Sequence, residues 1–300
     1  MTGLWTLAVL GGDRREAEAA RLLAAAGHRV ATHGLPPADT QGAMAAGAEA
    51  VSAEALPSLL PKVDAVLGPV QGTDRAGRGL HRPEGPLPVD PAWTERCRPG
   101  TPWLLGACGP WLSAALAAHG LPLLQYAASE AFATLNAVPT AEGAIAEAGR
   151  LGGRTVWGQE AVVLGGGRCA QALALRLRLW GAVVSVATRD ATEAARIAAT
   201  GARTVPWAGR GEALATATLV FNTVPAPVLG EQDLRRLPLG AVVVDVASAP
   251  GGTDFGAASL AGVPAVLLPG IPGRLYPVTA GGIVADTWQR LLREWHGGGA

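Results

Sequence analysis

The sequence predicts an α/β protein with two doubly wound parallel-sheet domains, the second of them a Rossmann dinucleotide-binding domain. Short apolar runs alternate with longer helical patterns along nearly the whole chain, which is the pattern of parallel α/β folds. The 300 residues exceed a typical single core. Hydrophobic residues make up 49% and charged residues 16%, which suits sheets buried on both faces. A glycine-rich turn at residues 165–170 stands between a predicted strand and a predicted helix.

The first domain is predicted over residues 1–135, on the substrate side of the protein. Its predicted elements are the strands Leu7–Leu10, Arg29–Thr32, Ala65–Leu67, Trp103–Leu105 and Leu123–Gln125 and the helices Arg14–Ala26 and Trp111–Ala118. Gly27 and Gly120 follow the two helices, as glycine does at many helix C-termini. The stretch 68–100 is rich in glycine, proline and arginine, and we predict a long functional loop or a partly mobile segment there.

A linking helix is predicted over residues 136–151, from a helical pattern at Thr140–Leu151, and the dinucleotide-binding domain over 152–276. The predicted strands of this domain are Val162–Leu164, Val183–Ala187, Arg203–Val205, Leu219–Phe221, Val242–Val246 and Ala265–Leu268. Residues 277–300 are predicted as a C-terminal helix, with its pattern at Val278–Trp295, that returns to the first domain. We expect the active site in the cleft between the domains, which can close on a substrate.

Composition and charge exclude several classes of function. The 24 basic and 24 acidic residues balance without a basic cluster, so there is no electrostatic case for nucleic acid or an anionic membrane as a partner. No apolar run approaches the ~20 residues of a membrane span, and the apolar N-terminus lacks a basic leader. The three cysteines and five histidines show no metal-ligand spacing. We therefore predict a cytoplasmic protein with reduced thiols and without a metal site, and no motif favours a hydrolase or a kinase.

The turn Gly165-Gly166-Gly167-Arg168-Cys169-Ala170 fits the dinucleotide-binding pattern G-x-G-x-x-A. The first glycine permits a tight turn, the second lets the backbone approach a pyrophosphate, and the small last residue lets helix and strand pack closely. The N-terminus of the following helix then offers N–H groups and a positive dipole end to the phosphates. Gly165, Gly166, Gly167, Arg168 and Cys169 are therefore candidate cofactor-binding residues, and a purely structural glycine turn is the alternative.

The end of the second strand of this domain distinguishes the two nicotinamide cofactors. An acidic residue there holds the ribose 2′-hydroxyl, whereas an arginine favours a 2′-phosphate. Thr188 and Arg189 occupy this turn, and Asp190 is predicted to cap the helix that starts at Ala191. This order favours NADP as the cofactor. NAD stays open as the alternative, with Arg189 solvated and Asp190 in contact with the ribose.

Three further segments are candidates for the cofactor site. Asn222-Thr223-Val224-Pro225 and Asp245-Val246-Ala247-Ser248 follow apolar strands, at the carboxyl ends where open α/β sheets bind ligands, and Asn222, Thr223, Val224, Val246 and Ala247 are the candidates within them. Thr279 lies in the segment that opens the last helix. Ordinary turn chemistry is the alternative interpretation. Together with the glycine turn, these strand ends predict a cradle for the cofactor.

Six motifs spread along the chain carry a resemblance to one known family. They are Leu10-Gly11-Gly12-Asp13, Asn136-Ala137-Val138-Pro139-Thr140-Ala141-Glu142-Gly143, the glycine turn, Asn222-Thr223-Val224-Pro225, Asp245–Phe255 and Pro269-Gly270-Ile271-Pro272-Gly273. Together they resemble the family of the dipicolinate synthase A subunit of spore-forming bacteria. The similarity runs from about residue 4 to residue 293 and is most specific at Ser248–Phe255.

The resemblance implies NAD(P)-dependent oxidation of a dihydrodipicolinate to dipicolinate (pyridine-2,6-dicarboxylate) during sporulation. It also implies a partner, the flavoprotein B subunit of dipicolinate synthase, and the cytoplasm of the mother cell as location. Aromatisation drives the hydride transfer, so the enzyme mainly has to orient two rings, and no catalytic residue is identified.

The two carboxylates of this small substrate need hydrogen-bond donors. We expect these donors at helix starts at Thr140 and Thr253, at the Asn136 amide, the Ser248 hydroxyl and Arg274, with Gly252 in the same glycine-rich loop as Thr253. Arg75 and Arg78, in the stretch 68–100, are candidates for a lid. Surface ion pairs or solvated side chains are the alternative for the three arginines.

Two other interpretations keep the fold. In the first, the chain is a nicotinamide-binding scaffold that acts only with the flavoprotein partner. In the second, it is another two-domain dehydrogenase, of the methylenetetrahydrofolate or alanine type. Methylenetetrahydrofolate dehydrogenases have a similar Pro-Thr-x-x-Gly helix start, but their catalytic lysine has no evident counterpart here. Lys62, the only lysine, lies beside Pro61 in a predicted turn. The sequence leaves the oligomeric state open, including a homo-oligomer.

Overall fold

The computed structural model describes residues 3–297. The chain folds into two compact units, which are residues 3–133 with 276–297 and residues 134–275. Each unit is built on a six-stranded parallel sheet with helices, so the predicted fold class is confirmed. Within residues 3–297 no helix is both long and apolar enough to cross a membrane. The same residues contain no group of three or more His, Cys, Asp or Glu side chains that could hold a metal ion.

The first unit alternates short strands and helices, as parallel pairing of successive strands requires. Its strands are β1 (Thr6–Leu10), β2 (Arg29–His33), β3 (Glu49–Ala50), β4 (Ala65–Leu67), β5 (Gly79–Leu80), β6 (Leu87–Pro88), β7 (Trp103–Leu105) and β8 (Leu123–Gln125). Its helices are α1 (Arg14–Ala25), α2 (Pro37–Ala45), α3 (Leu56–Leu59), α4 (Pro91–Arg96), α5 (Pro110–Ala118) and α13 (Pro277–Gly297), with a 3-10 helix at Leu60–Lys62.

The main sheet of the first unit has the order β3-β2-β1-β4-β7-β8, and all its strand pairs are parallel. The central strand β1 is buried because Leu7–Leu10 are apolar on both faces. Leu23 of α1 and Trp288 and Leu292 of α13 are buried in one apolar cluster with this sheet. Each fully buried leucine contributes about 1.5–3 kcal/mol relative to an exposed one, so α13 helps to hold the first unit together.

The stretch 68–100, predicted as a long functional loop or a partly mobile segment, contains two short strands and a helix. β5 and β6 form an antiparallel pair with Gly79 opposite Pro88, and α4 follows. Leu80, Leu87 and Trp93 are buried in the apolar cluster on one face of the sheet. These apolar residues are separated irregularly by glycine and proline, so the sequence shows no strand or helix period, and only their packing on the sheet reveals their role.

The second unit contains the remaining elements. Its strands are β9 (Glu160–Leu164), β10 (Val183–Thr188), β11 (Arg203–Pro206), β12 (Leu219–Asn222), β13 (Val242–Asp245) and β14 (Ala265–Leu267). Its helices are most of α6 (Glu130–Gly152), α7 (Arg168–Leu179), α8 (Ala191–Ala199), α9 (Arg210–Leu214), α10 (Glu231–Leu234), α11 (Phe255–Leu260) and α12 (Ile271–Leu275), with a 3-10 helix at Trp207–Gly209. The order β11-β10-β9-β12-β13-β14, parallel throughout, is the Rossmann order. Every predicted strand is present with slightly shifted ends.

The linking helix differs from the prediction, because α6 begins at Glu130 and continues through Pro139 to Gly152. Proline is frequent in the first turn of a helix, which is why the pattern predicted a start at Thr140. Inside α6, Pro139 has no backbone N–H to donate. The Thr140 hydroxyl donates to the Asn136 carbonyl oxygen at 2.9 Å, four residues back. Burial of the alanine-rich face of α6 in the core of the second unit offsets the cost of this proline.

Candidate functional site

Four strand ends of the second unit lie side by side. Leu164 of β9 is in register with Ala187 of β10 and with Asn222 of β12. Asn222 is in turn in register with Asp245 of β13. The loops that follow these strands therefore leave the sheet at one edge, which is where open α/β sheets bind ligands.

The turn after β9 needs glycine at its first position. Gly165 has φ +103°, which disfavours other residues. Its N–H donates to the Ala187 carbonyl oxygen at 2.9 Å. A Cβ atom on Gly165 would collide with the hydroxyl of Thr223, which itself donates to the Leu164 carbonyl oxygen at 2.8 Å. The turn and the loop after β12 are thus in direct contact.

The N-terminus of α7 has no side-chain cap among the described residues, because the cap position is Gly167. The first N–H groups of an α-helix have no acceptor within the helix, so they point out of its N-terminus. Gln171 supports the turn from inside α7, since its side-chain amide donates to the Gly166 carbonyl oxygen at 2.9 Å. This arrangement offers N–H groups and a positive helix end to an anion.

Cys169 lies in the first turn of α7, half-buried. Burial raises the pKa of its thiol, and the opposing charge of Arg168 does not cancel this effect. A thiol with a raised pKa is a poor nucleophile at neutral pH. Burial therefore disfavours the thiolate form of Cys169.

Asp245 organises the loop after β13; the sequence placed it in a candidate strand-end segment but not among the predicted binding residues. Its side chain is fully buried, and one carboxylate oxygen accepts from the Asn222 amide at 2.9 Å, the Gly252 N–H at 2.8 Å and the Thr253 hydroxyl at 2.8 Å. The other carboxylate oxygen accepts from the Ala247 N–H at 3.0 Å. One acidic residue thus holds two loops at the carboxyl edge of the sheet.

The predicted cofactor residue Asn222 is fully buried and fully bonded. Its amide nitrogen also donates to the Val224 carbonyl oxygen at 3.0 Å, and its amide oxygen accepts from the Val224 N–H at 3.0 Å. The Asn222 side chain therefore positions the loop that carries Thr223 and Val224. Thr223 and Val224 themselves are half-buried beside the glycine turn.

The predicted helix start at Thr253 is wrong, because α11 begins at Phe255 and is capped by Asp254. Gly252 is buried, and a Cβ atom on it would collide with the carbonyl oxygen of Ala226. The loops after β12 and β13 therefore pack directly against each other. Ser248 is exposed in the second of these loops, next to the cis peptide between Ala249 and Pro250.

The other predicted residues are distributed more widely. Asn136 and Thr140 lie within α6, so Thr140 is not a helix start. Arg274 is exposed on α12, and its guanidinium donates to the Pro269 carbonyl oxygen at 3.3 Å. Thr279 is exposed on α13, which belongs to the first unit.

The lid candidates Arg75 and Arg78 also belong to the first unit and are exposed. The Arg78 guanidinium lies 5.1 Å from the centre of the Trp111 ring, within the range of a cation–π contact. Their predicted role as a lid stays a prediction.

The end of β10 carries Thr188 and Arg189. The Thr188 hydroxyl donates to the Glu193 carboxylate at 2.8 Å, and the Arg189 guanidinium lies 4.7 Å from the centre of the Trp207 ring. Asp190 caps α8 by accepting from the Glu193 N–H at 2.8 Å, as predicted. Beside Arg189 lies a cavity of about 640 Å³, bordered also by Trp207, Arg210 and the loops 227–233 and 250–254.

Together, the Rossmann strand order, the glycine turn and the bonded strand-end loops define a Rossmann-type α/β protein. Residues 6–127 match the family model of the N-terminal domain of the dipicolinate synthase A subunit. The A subunit of dipicolinate synthase from Bacillus subtilis (strain 168) is 35% identical over 162 residues, which span 54% of this chain and 54% of that protein. These matches confirm the resemblance predicted from the sequence.

Solved structures extend the similarity to nearly the whole chain. Dipicolinate synthase A chain from Bacillus subtilis has a TM-score of 0.84 at 28% identity, covering 99% of this chain and 98% of that one. The corresponding protein from Bacillus halodurans has a TM-score of 0.81 at 28% identity, covering 97% and 99%.

Dehydrogenases are also among the similar proteins. A shikimate dehydrogenase (NADP(+)) of Acidiphilium cryptum (strain JF-5) is 38% identical over 106 residues, which span 34% of this chain and 38% of that protein. An L-alanine dehydrogenase shares the fold, with a TM-score of 0.62 at 17% identity over 97% of this chain and 90% of that one. The matched segments span about half or less of the curated relatives. These similarities support an oxidoreductase-type family.

Proposed function

We propose that the second unit binds a nicotinamide dinucleotide at its glycine turn. The observation that carries this proposal is the alignment of four strand ends around the uncapped N-terminus of α7. The pyrophosphate would be held by the backbone of Gly165–Cys169, where N–H groups and a positive helix end favour an anion. Thr188, Thr223, Val224, Val246 and Ala247 border the same edge of the sheet and would hold the rest of the cofactor.

We infer further that the reaction is the oxidation of a dihydrodipicolinate to dipicolinate. The substrate loses one hydride and one proton, and the ring becomes aromatic. Bound NAD(P) supplies the hydride acceptor. The similarity to the A subunit of dipicolinate synthase over nearly the whole chain supports this substrate. The aromatic product makes the step favourable, so the chain's main task is to orient the substrate.

The hydrogen bonds of the structure narrow the set of proposed substrate donors. The Gly252 N–H and the Thr253 hydroxyl both donate to Asp245, so these groups shape the loop. The Ser248 hydroxyl and the Arg274 guanidinium are exposed and are the preferred donors for the two substrate carboxylates. The Asn136 amide stays a candidate on α6.

Two further parts of the proposal concern the partner and the cofactor. Because the similar proteins are named as one component of a synthase, we propose the flavoprotein B subunit of dipicolinate synthase as partner, in the mother cell of a sporulating bacterium. For the cofactor, the sequence favoured NADP because of Arg189. The Arg189 guanidinium lies over the Trp207 ring at the end of β10, and its part in choosing the cofactor stays a prediction.

The test is absorbance at 340 nm with freshly formed dihydrodipicolinate and either NAD or NADP, with and without the flavoprotein partner. The proposal expects cofactor reduction by this chain alone. Dipicolinate that forms only on mixing would identify a scaffold instead. Turnover with L-alanine or a methylenetetrahydrofolate, and none with dihydrodipicolinate, would overturn the proposed substrate.

The same assay tests the substrate donors. Arg274→Ala is expected to raise the KM for dihydrodipicolinate by roughly tenfold, because a charge-assisted hydrogen bond to a carboxylate is lost. Arg235→Ala is the matched control, since Arg235 pairs with Glu231 on the exposed surface of the same unit. An unchanged KM in Arg274→Ala would remove Arg274 from the site.

A further inference from the structure

The carboxylate of Glu193 lies against the glycine turn. Glu193 is in the first turn of α8, and its oxygen Oε2 accepts from the Thr188 hydroxyl at 2.8 Å. A Cβ atom placed on Gly166 would lie 2.7 Å from the Cβ of Glu193 and would collide with Oε2. Glu193 is half-buried, and its hydrogen bond with Thr188 keeps the carboxylate beside the turn.

The backbone fixes Glu193 in this place. Its N–H donates to the Asp190 carboxylate at 2.8 Å, which caps α8 and sets the start of the helix. The Thr188 hydroxyl then joins the end of β10 to the Glu193 carboxylate. The carboxylate therefore has a defined position between the second strand end and the second glycine of the turn.

The end of β10, where Thr188 donates to this carboxylate, is where a Rossmann fold meets the adenosine ribose of a dinucleotide. An acidic group there accepts a hydrogen bond from the ribose 2′-hydroxyl, whereas a 2′-phosphate needs a cation. Glu193 supplies the acidic group, although it comes from α8 and not from the last residue of β10. A doubly charged phosphate beside this carboxylate would be repelled.

Two arginines near the end of β10 lie over the same indole ring. The Arg189 guanidinium lies 4.7 Å from the centre of the Trp207 ring, and the Arg210 guanidinium lies 5.1 Å from the same ring. Arg210 also donates to the Asp233 carboxylate at 2.8 Å. A 2′-phosphate within reach of the Arg189 N–H groups would still stand beside the Glu193 carboxylate.

We propose that Glu193 is a specificity-determining residue and that it makes this chain prefer NAD over NADP. This inference rests on the proposed dinucleotide site and deepens it by naming the ribose as the point of selection. Glu193 is five positions past Thr188, beyond the strand end at which the sequence pattern looks for an acidic residue.

The experiment measures the Kd of NAD, NADP, NADH and NADPH for the full chain by isothermal titration calorimetry. The comparison includes Glu193→Gln, which keeps an acceptor for Thr188 but removes the charge. Glu160→Gln is the matched control, because it removes the same charge at the amino end of β9. Thermal unfolding checks that both variants are folded.

The wild-type chain is expected to bind NAD roughly tenfold more tightly than NADP, or more, because of like-charge repulsion. Glu193→Gln should tighten NADP binding by roughly tenfold and weaken NAD binding slightly, whereas Glu160→Gln should leave the ratio unchanged. Binding of both cofactors with equal affinity, a preference for NADP, or an unchanged ratio in Glu193→Gln would overturn the inference alone. If the folded wild-type chain binds none of the four nucleotides, the proposed function fails, and the inference fails with it.

Discussion

The turn after β1 and the turn after β9 begin alike. Each follows the first strand of a parallel sheet, and the two sheets have corresponding strand orders, β3-β2-β1-β4-β7-β8 and β11-β10-β9-β12-β13-β14. In each turn two glycines follow the last leucine of the strand, Gly11-Gly12 in one unit and Gly165-Gly166 in the other. A helix starts two residues after the second glycine. The next positions differ: Asp13 caps α1, whereas Gly167 caps α7.

In the first unit the helix N-terminus is closed by the chain's own carboxylates. Asp13 accepts from the Arg15 N–H at 2.9 Å, and Glu16 accepts from the Asp13 N–H at 2.7 Å and the Val70 N–H at 2.8 Å. In the second unit the positions that correspond to Asp13 and Glu16 are Gly167 and Ala170, which have no carboxylate. A shared fold thus provides two helix ends, and two carboxylates decide which of them stays open to an anionic ligand.

Arg15 balances the buried charges of the first turn. Its guanidinium donates to the Asp13 carboxylate at 2.7 Å and to the Gln71 side-chain oxygen at 2.6 Å, and it is almost fully buried. Burial pushes the pKa of Asp13 up, but the hydrogen bond and charge of Arg15 outweigh burial and hold this pKa below its ordinary value. Burial, together with the charge of Asp13, raises the pKa of Glu16 to about 7.

The largest effect expected from this comparison is on stability. Arg15→Ala leaves the Asp13 and Glu16 carboxylates buried without their cation, so the first unit should lose about 3–5 kcal/mol of unfolding free energy. Urea unfolding followed by hydrogen exchange of the β1 and α1 amides measures the loss.

Arg14→Ala is the matched control, since the Arg14 side chain is 51% exposed and pairs with Asp39 at the surface. It should change the free energy by less than about 1 kcal/mol. If Arg15→Ala costs no more than Arg14→Ala, the buried charges do not close the first turn in the way that we infer.

The second prediction concerns pH. The folded state raises the pKa of Glu16 from 4.5 to about 7, so it binds this proton more tightly than the unfolded state does. The tighter proton binding at Glu16 therefore stabilises the folded state fully below pH 4.5. This stabilisation is lost as pH rises through about 7, and the loss in unfolding free energy is up to roughly 3 kcal/mol. Glu16→Gln should flatten the dependence of unfolding free energy on pH within this window. Its mean stability should also fall, because one glutamine oxygen cannot replace two carboxylate acceptors. If the unfolding free energies of the wild-type chain and of Glu16→Gln change with pH in the same way, the Glu16 pKa is not raised in the folded state.

Much of this comparison could be predicted from the sequence, because strands in parallel sheets are short apolar runs between glycine-ended helices. β4, β7 and β8 have the predicted bounds, and the glycine turn stands where the pattern placed it. The sequence also contains the difference between the two turns, since Asp13 and Glu16 have the spacing of a capping box. The burial of the charged groups in the first turn could not be predicted from the sequence. It involves the contact of Arg15 with Gln71, which lies far along the chain.

Other parts of the site could not be predicted for similar reasons. Asp245 and Asn222 lie far apart in sequence and meet only because β12 and β13 are in register. Glu193 is inside a helix, and only the capped start of α8 turns it toward Gly166. Pro139 predicted a helix start, but packing of α6 overrides this local preference. The prediction was good where local pattern decides the structure and poor where pairing between distant segments decides it.

The smallest expected effect is that of giving the turn after β9 the aspartate cap that the turn after β1 has. Gly167→Asp places a carboxylate at the N-cap of α7, as Asp13 does for α1. Gly167 has φ −68°, and a Cβ atom there would meet only Glu193 Oε1, at 3.9 Å, so aspartate fits without strain. Stability should change by no more than a few tenths of a kcal/mol, because repulsion from the Glu193 carboxylate opposes the gain from the new cap. Dinucleotide affinity should fall by roughly tenfold, because the new carboxylate takes the N–H groups that would bind the pyrophosphate and repels it.

Gly167→Asn separates the two causes of this loss, because asparagine also caps the helix but carries no charge. A titration of NADH fluorescence at low and high salt should show the larger loss for aspartate, and the excess over asparagine should shrink as salt screens the charge. Equal losses would mean that occupied N–H groups alone close the turn. Unchanged affinity in both variants would mean that the pyrophosphate does not bind at α7, and the difference between the two turns would then have no bearing on the ligand.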